Sequence, residues 1–404
     1  MYIISIICII FFHSLYSFTL GIENSSDSFF ATARDKKYKV ILITNQTGIT
    51  QKKERSVDVL LTHGITIVSI AAPEHGFEGT VEAGKDVHHH KDTKTGIPVI
   101  SLYKNCSGQI IDPADVAQCD AFCFDIQDCG MRHYTFVSTL YTLFEAALVH
   151  DKKIIVFDRP NFLGPVVAGP VVDSSLISFI SIAPIPLRYG LTVGELARYY
   201  NHYFFEQKVK LHVVPMRDYS MLYCPKVGDF TSLSPNIKTT QACYGYSFLG
   251  IVGEVRPFDV GIGTDKAFSM IMLPQSLGVT HEQWSVLKNI LQGYYIASNH
   301  YRYYSERKKT PMEGLALFID TSDITKVSSF AVVLEILQWA MDCSVSLTCG
   351  DGFNKAVGNK LVQEGIIKKK IDKVIIMAGA RNECTPFINN AQRCLLYNQK
   401  LVLR

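Results

Sequence analysis

The sequence predicts an α/β protein in which a Rossmann-like, parallel-sheet N-terminal domain precedes a smaller α+β C-terminal domain. Short apolar runs recur between residues 40 and 157, and they are continuous rather than alternating with polar residues. Continuous runs are typical of strands covered on both faces of a parallel sheet. Segments with helical periodicity separate the runs, as in successive β-α-β units. After about residue 216 the alternation of apolar runs and helical segments stops, and Pro, Gly, Tyr and Ser become frequent.

The apolar runs and the periodic segments set the predicted elements of the first domain. Strands are predicted over residues 40–43, 65–72, 99–102, 121–124 and 154–157. Helices are predicted over residues 54–63, 139–150 and 192–205. Thr192 and Glu195 have the spacing of a capping box at the start of the last helix. Right-handed crossovers between such elements produce a doubly wound sheet.

The change of rhythm places a domain boundary near residues 216–240. We assign residues 36–230 to the Rossmann-like catalytic domain and residues 231–404 to the smaller domain, which closes the cleft. Helices over residues 282–300 and 328–341 and a strand over residues 315–319 are expected in the second domain. Five tyrosines on or near the first of these helices could stack on a sugar, although an ordinary surface or interface is favoured for most of them: Tyr294, Tyr295, Tyr301, Tyr303 and Tyr304.

The N-terminal residues resemble a secretion signal. Residues 3–12 are apolar, and no Lys, Arg, Asp or Glu occurs before Glu23. A stretch of about 15 apolar residues is short for a membrane span but suits a signal-peptide core. We therefore expect residues 1–21 to be a signal peptide and the protein to be exported to the periplasm or cell envelope. An uncleaved anchor and a misassigned start remain alternatives, because a positively charged N-terminus is missing.

Composition excludes several classes of protein. The chain has 404 residues, a formal net charge of +3 and 19% charged residues, with modest Gly and Pro contents. Disorder and fibrous structure are thereby excluded, and the length suits about two to three domains. The small net charge provides no strong basic field, so binding to nucleic acid, or to a membrane by overall charge alone, is not expected. The oligomeric state is left open.

Polar side chains follow four of the predicted strands. In an open parallel sheet, ligands bind beyond the carboxyl ends of the strands, so these side chains are expected to share one edge. Helix capping is an equally good interpretation for Asp158 and Asn161. The polar groups at the predicted edge are Asn45-Gln46, Glu74-His75, the loop from Asp125 to Asp128, the loop from Asp158 to Asn161, and Arg132-His133-Tyr134.

Glu74 is the best-supported candidate for a catalytic residue. It lies between Pro73 and His75, directly after an apolar strand. A carboxyl group at the mouth of a partly apolar cleft suits a general acid, because desolvation raises its pKa. Asp125 and Asp128 provide a second acidic group, and two carboxyl groups flanking a bond are the usual equipment for glycoside hydrolysis.

A metal site is the main competing interpretation of these residues. His75, Asp125, Asp128 and His133 are residue types that bind zinc or iron. No His-x-x-x-His spacing supports such a site, and the tract from His88 to His90 is interpreted as a solvated loop. Paired Cys-x-x-Cys zinc spacing and nucleotide-binding motifs are also missing from the sequence. We therefore expect neither a metal nor a cofactor.

Many motifs, in order along nearly the whole chain, resemble the exo-β-N-acetylmuramidase family, long catalogued as a bacterial domain of unknown function. Those in the first half are Asn45-Gln46-Thr47-Gly48, Pro73-Glu74-His75-Gly76-Phe77-Glu78-Gly79, Asp125-Ile126-Gln127-Asp128-Cys129-Gly130-Met131-Arg132-His133-Tyr134-Thr135 and Asp158-Arg159-Pro160-Asn161. Later ones are Pro186-Leu187-Arg188-Tyr189-Gly190-Leu191-Thr192-Val193-Gly194-Glu195, Ser234-Pro235-Asn236 and Gly261-Ile262-Gly263-Thr264.

The resemblance implies removal of N-acetylmuramic acid from the non-reducing end of peptidoglycan fragments, in cell-wall turnover, within a cleft between the two domains. It also implies that Glu74, in the Pro-Glu-His-Gly motif, is the catalytic glutamate. We expect Arg132 or Arg159 to pair with the lactyl carboxylate, because a guanidinium group binds carboxylates in a bidentate manner. Further hydrogen bonds to substrate are expected from Asn45, His75, His133, Tyr134 and Asn161.

Departures from the family pattern motivate a rival function, although glycoside hydrolysis is the leading hypothesis. Ile262 stands where the family commonly has Arg, and Phe162-Leu163-Gly164-Pro165 stands where Pro-Leu-Gly-Gly is usual. A non-catalytic cell-wall sugar-binding protein is therefore the first alternative, and a metal-dependent hydrolase is the second. Retention or inversion of configuration is left open.

Overall fold

The computed structural model of the protein describes residues 18–104, 107–108, 111–220 and 230–404. Most of the expected signal peptide, residues 1–17, lies outside these ranges. Within them, no helix has both the length and the apolar character needed to cross a membrane.

The strands and helices are numbered in chain order. The strands are β1 Lys39–Thr44, β2 Thr66–Ala72, β3 His90–Lys91, β4 Pro98–Ser101, β5 Tyr103–Lys104, β6 Ser107–Gly108, β7 Ala121–Asp125, β8 Lys153–Phe157, β9 Val166–Val171, β10 Pro186–Tyr189, β11 Lys210–Val214, β12 Val255–Arg256, β13 Met270–Pro274, β14 Ala297–Ser305, β15 Thr310–Phe318, β16 Thr348–Cys349 and β17 Val402–Leu403. The helices are α1 Ser28–Asp35, α2 Ser56–Thr62, α3 Pro113–Ala117, α4 Phe136–Val149, α5 Val193–Tyr203, α6 Thr240–Val252, α7 His281–Gly293, α8 Ser329–Asp342, α9 Asp351–Val357, α10 Lys360–Ile367 and α11 Lys373–Ala391.

The largest sheet has the topology of a doubly wound Rossmann-like fold. Its strand order is β11-β8-β7-β1-β2-β4-β3, and every neighbouring pair except β3 with β4 is parallel. Counting only the parallel strands along the chain, this is the order 3-2-1-4-5-6 of dinucleotide-binding folds. The strand order reverses between β1 and β7, and a crevice is expected at such a switch point. The predicted fold class is confirmed.

Both faces of this sheet are covered, as the continuous apolar runs predict. Along β1, Ile41 and Ile43 belong to one hydrophobic cluster, and Val40 and Leu42 belong to another. Alternate side chains of a strand point to opposite faces, so each cluster lies on its own side of the sheet. The predicted capping box is also present, because Thr192 and Glu195 satisfy each other's backbone N–H groups at the start of α5.

The C-terminal part forms two smaller sheets, adds one strand to a third, and packs against the first part. Strand β13 pairs with β15, which pairs with β14, and all are antiparallel. Strand β17, near the end of the chain, lies parallel to β9, whose other neighbour is β10. One hydrophobic cluster contains buried side chains from both parts of the chain, from Ile41 near the N-terminus to Leu401 near the C-terminus.

Two expectations for the C-terminal part were wrong. The helix predicted over residues 282–300 ends at Gly293, and β14 follows, so Tyr301, Tyr303 and Tyr304 lie on a strand. The segment 298–305 contains alternating polar and aromatic side chains, which suit a half-exposed strand. No helix was predicted within residues 217–280, where Pro, Gly, Tyr and Ser are frequent, but this region contains α6. The apolar side chains of α6 are almost all buried, so the helix lacks a clear amphipathic stripe.

Residues directly after position 17 belong to the folded core. Phe18 and Leu20 are buried in the cluster beneath β1, and the Gly21 N–H donates to the Asp158 carbonyl oxygen over 3.0 Å. A Cβ atom at Gly21 would lie 2.4 Å from the Asp158 nitrogen, so this close approach requires glycine. Residues 18–21 therefore contribute contacts that the predicted signal-peptide boundary would remove.

Candidate active site

The candidate site lies at the carboxyl ends of β1, β2 and β7, beside the switch point of the sheet. Asn45 follows β1, Glu74 lies two residues beyond β2, and Asp128 lies three residues beyond β7. Each of these side chains is buried. The loop from Met131 to Thr135 leads from the β7 end into α4, and α6 covers it from the C-terminal part.

Glu74 is held by one hydrogen bond to each carboxyl oxygen. Its Oε1 accepts from the Gly84 N–H over 3.0 Å, and its Oε2 accepts from the Thr135 hydroxyl over 2.6 Å. The side chain is 8% exposed. The neighbouring His75 has a φ of 72°, and its Nδ1 lies 2.7 Å from the Val81 carbonyl oxygen, so the turn carrying Glu74 is fixed on both sides.

Asp128 is the second buried carboxyl group of the site. Its Oδ2 accepts from the Gly130 N–H and from the Tyr189 hydroxyl, whereas its Oδ1 has no hydrogen-bond partner within the described residues. Burial raises the pKa of Asp128 to about 7, against the opposing effect of the Tyr189 and Gly130 hydrogen bonds. A carboxyl group that titrates near neutral pH and has one free oxygen is equipped for catalysis.

Asp125 and Arg159 form a buried ion pair with each other. Arg159 donates from Nε to Asp125 Oδ1 over 2.5 Å and from Nη2 to Asp125 Oδ2 over 2.8 Å. Asp125 Oδ2 also accepts from the Ser56 hydroxyl, and Arg159 also donates to the Ile49 carbonyl oxygen. Both side chains are almost fully buried. The structure therefore gives this pair a structural role instead of the catalytic and substrate-binding roles expected for them.

Arg132 requires the same correction. Its guanidinium group donates to four carbonyl oxygens and to the Ser181 hydroxyl, which uses all five of its N–H groups. Because the side chain is 1% exposed and already fully bonded, it is not available to a substrate carboxylate. The acceptor carbonyls belong to Pro170, Ile185, Ala356 and Val357.

Asn161 and Asp158 support the neighbouring backbone. Asn161 Oδ1 accepts from the Leu163 N–H, and its Nδ2 donates to the Leu191 carbonyl oxygen. Asp158 accepts from the Gly194 N–H and from the Thr192 and Tyr397 hydroxyls, and burial raises its pKa to about 6. The capping interpretation fits Asp158 because it binds the first turn of α5, whereas Asn161 closes its own turn.

His133 and Asn45 retain buried polar atoms without partners among the described residues. Neither ring nitrogen of His133 has a hydrogen bond, and Asn45 Nδ2 has none, although Asn45 Oδ1 accepts from Thr47. Burial and, to a smaller extent, the Arg132 charge lower the pKa of His133 to about 3, so its ring is neutral. Unpaired buried polar groups are rare and are expected where a ligand supplies the missing bonds.

Tyr246, on α6, is a site residue that the sequence interpretation missed. Its ring stacks on His133 with centroids 4.8 Å apart, and it packs edge-to-face against Tyr134. Burial raises the pKa of Tyr246, and nearby negative charges, those of Glu74 and Asp128 among them, add to this effect. Tyr134 itself donates from its hydroxyl to the Leu233 carbonyl oxygen.

No strand-end pattern marks Tyr246, because it comes from a buried helix. Its only sequence signal is its place in an aromatic cluster with Tyr244 and Phe248. Thr135 could have been identified as a site residue from the sequence, because it is the last residue of the motif that contains Asp128. Across the described residues, no three His, Cys, Asp or Glu side chains converge as a metal-binding group.

Two buried carboxyl groups, those of Glu74 and Asp128, thus lie at the carboxyl edge of a Rossmann-like sheet, which is where ligands bind in folds of this class. Residues 40–241 match the N-terminal domain of the exo-β-N-acetylmuramidase NamZ, and residues 244–397 match its C-terminal domain. The chain therefore belongs to the exo-β-N-acetylmuramidase family and is a glycoside hydrolase.

Individual relatives agree with this assignment. The chain is 30% identical over 344 residues to the peptidoglycan β-N-acetylmuramidase NamZ of Bacillus subtilis strain 168, covering 83% of this chain and 80% of that protein. A DUF1343 family protein of Bacteroides fragilis NCTC 9343 has a TM-score of 0.81 at 28% identity, covering 94% of this chain and 99% of the other. A second B. fragilis protein of that family, 23% identical with a TM-score of 0.69, shares the fold over 95% of this chain and 99% of its own.

Proposed function

We propose that this protein releases N-acetylmuramic acid from the non-reducing end of peptidoglycan fragments, with Glu74 as the proton donor and Asp128 as the second carboxyl group. The observation that carries the proposal is that Thr135, in the same loop as Asp128, donates a hydrogen bond to Glu74 over 2.6 Å in a chain of this family. The B. subtilis relative, a peptidoglycan β-N-acetylmuramidase, supports the substrate class.

Glu74 would protonate the glycosidic oxygen. The bond between that oxygen and the anomeric carbon breaks as the oxygen takes the proton, and a water molecule then supplies the hydroxyl group to the anomeric carbon. The second proton of that water restores Glu74. Thr135 and the Gly84 N–H hold the carboxyl group in place, and general acid catalysis of this kind is typically worth about 10²–10⁴-fold in rate.

Asp128 would act in its ionised form on the positive charge that develops in the sugar ring. An oxocarbenium-like transition state is the usual course of glycoside hydrolysis. The unpaired Oδ1 is free for this role, while Tyr189 and Gly130 fix Oδ2. His133, Asn45 and Tyr246 would contribute the hydrogen bonds and the apolar surface that hold the sugar. Export to the cell envelope, where this substrate occurs, remains part of the proposal.

Replacement of Glu74 by Gln tests the acid. Gln keeps an oxygen for the Gly84 N–H and an amide for the Thr135 oxygen, so E74Q should fold normally. Turnover of a chromogenic N-acetylmuramic acid glycoside is expected to fall at least about a hundredfold, with circular dichroism unchanged.

Glu78 provides the matched control. It lies in the same loop, but its carboxylate is exposed and contacts His90 on the surface. Turnover by E78Q should remain close to that of the unaltered protein. Near-normal turnover by E74Q would eliminate Glu74 as the acid, and tight binding of muropeptides without any product from the unaltered protein would favour the sugar-binding alternative.

A further inference from the structure

Exposed aliphatic side chains are concentrated at one turn between two C-terminal helices. Helix α10 ends at Ile367, and α11 begins at Lys373. Ile367 is 72% exposed, Val374 80% and Ile375 60%. We refer to residues 367–375 as the lysine–isoleucine tip. Three strongly exposed aliphatic residues therefore lie within nine positions, and exposed apolar surface concentrated in one region generally marks an interaction site.

The backbone fixes the outward orientation of these side chains. Ile366, Ile371 and Ile376 point inward and are buried, so each adjacent Ile367 and Ile375 faces solvent. The Ile371 N–H donates to Gln338 Oε1 over 3.0 Å, which ties the turn to α8. A Cβ atom at Gly365 would lie 2.9 Å from Ile371 Cγ1, so the turn closes tightly against α10. The exposed residues are therefore held in place rather than displayed by a loose loop.

Positive charge surrounds the same side chains. Residues 360–375 contain five lysines and two carboxylates, a formal charge of +3, which equals that of the entire chain. Asp372 is used as the N-cap of α11, and Lys373 pairs with Glu335. Lys368 has a surface pair with Glu364, whereas Lys369 and Lys370 form no ion pair within the described ranges. Two copies of this surface would repel each other, which disfavours self-association.

We propose that the lysine–isoleucine tip binds the surface of an anionic lipid bilayer. Aliphatic side chains flanked by lysines match such a surface, since the apolar groups enter the interface and the ammonium groups contact lipid phosphates. Charge complementarity favours this partner over a neutral one. The tip would hold the protein on a membrane face without any transmembrane segment, and this inference does not depend on the enzymatic reaction.

Co-sedimentation of the full chain with vesicles tests the proposal. Vesicles of phosphatidylcholine alone are compared with vesicles of equal parts phosphatidylcholine and phosphatidylglycerol. The partition coefficient is expected to be at least about tenfold higher on the anionic vesicles and to fall as salt is raised. The apolar residues 3–12 are present in every variant, so differences between variants report the tip alone.

Two triple variants identify the responsible groups. K368E/K369E/K370E and I367S/V374S/I375S should each reduce binding to anionic vesicles at least about tenfold. K36E/K52E/K208E makes the same change in net charge at exposed lysines elsewhere and should retain most of the binding.

Three results would overturn the proposal: equal binding to both kinds of vesicle, equal loss in the control variant, or concentration-dependent dimerisation that the isoleucine variant abolishes without any effect on vesicles. Because the altered side chains are exposed, the variants should fold. If a variant fails to fold, the dependence of binding on lipid charge and on salt concentration, measured with the unaltered chain, still tests the proposal.

Discussion

Asp128 illustrates how the environment of one side chain sets its chemistry. An Asp three residues after a strand is ordinarily a solvated carboxylate, but here burial raises its pKa to about 7. The folded protein therefore holds this proton more tightly than the unfolded chain does. Consequently, Asp128 disfavours folding increasingly as the pH rises from about 4 to about 7. A group that costs stability in this way is expected where function requires it.

Ionised Asp128 gives a specific pH dependence. If the ionised form stabilises the transition state, kcat/KM should fall as the pH is lowered through about 7. The Tyr189 hydrogen bond lowers the pKa of Asp128, so Y189F should move the midpoint of this acidic limb to higher pH, by about one pH unit. The measurement is a pH profile of kcat/KM for both proteins.

Tyr203 supplies the control for that profile. Its hydroxyl donates to the Asn390 carbonyl oxygen, away from Asp128, so Y203F should leave the midpoint in place. A midpoint that stays unchanged in Y189F, or moves to lower pH, would contradict the assigned role of the ionised carboxylate.

At the scale of secondary-structure elements, two buried arginines connect the two parts of the chain. Arg132 binds the carbonyl groups of Ala356 and Val357, which end α9 and lack partners within that helix. Arg188 donates to the carbonyls of Ile324 and Val327, just before α8. Each cation therefore ties the backbone at one end of a C-terminal helix to the first part of the chain.

Replacement of Arg132 by Met separates this structural role from substrate binding. Met fills much of the same volume but leaves several carbonyl groups unpaired, so the free energy of unfolding should fall by about 3 kcal/mol or more. The preference for N-acetylmuramic acid over N-acetylglucosamine substrates should be unchanged. Urea denaturation and paired kinetic assays measure the two effects.

Arg34 provides the comparison. Its side chain is 64% exposed, and its only ion pair in the described ranges is with the adjacent Asp35 on the surface, so R34M should change stability by less than about 0.5 kcal/mol. A changed sugar preference in R132M would return Arg132 to the substrate site.

At the scale of the whole molecule, the two parts share one core. The main hydrophobic cluster extends from Ile41 in β1 to Leu401 beside β17. Tyr397 donates to Asp158 Oδ2 over 2.6 Å, which brings the end of the chain to the carboxyl edge of β8. Elements so connected should unfold together.

The two tryptophans allow this cooperativity to be measured. Trp284 and Trp339 are the only tryptophans of the chain, and both lie in the C-terminal part with ring centroids 4.7 Å apart. Urea transitions followed by tryptophan fluorescence and by far-ultraviolet circular dichroism should therefore coincide, because the second signal reports the whole chain. An earlier fluorescence transition would show that the C-terminal part unfolds independently.

Five strands of the large sheet, β1, β2, β4, β7 and β8, could be predicted because their signal is local, whereas β9, β10 and β11 were not predicted. A continuous apolar run such as residues 40–43 predicts a doubly covered strand wherever it packs. Helix α6 was missed because a helix that is buried on nearly all sides has no amphipathic stripe. Strand β14 was missed because the pattern of a short segment can fit a helix as well as a strand. The family motifs supplied the activity class, which no local pattern contains.

The sequence by itself determined the Rossmann-like sheet, the edge at which polar groups gather, and Glu74 and Asp128 as the candidate carboxyl groups. Only the tertiary structure decided the partners of those polar groups. Arg159 donates hydrogen bonds to Asp125, 34 positions away in the sequence, and Arg132 donates to the carbonyl oxygen of Val357, 225 positions away. The physical reason is that a charged side chain takes its role from whatever lies within hydrogen-bond distance, and at such separations the fold alone sets those distances.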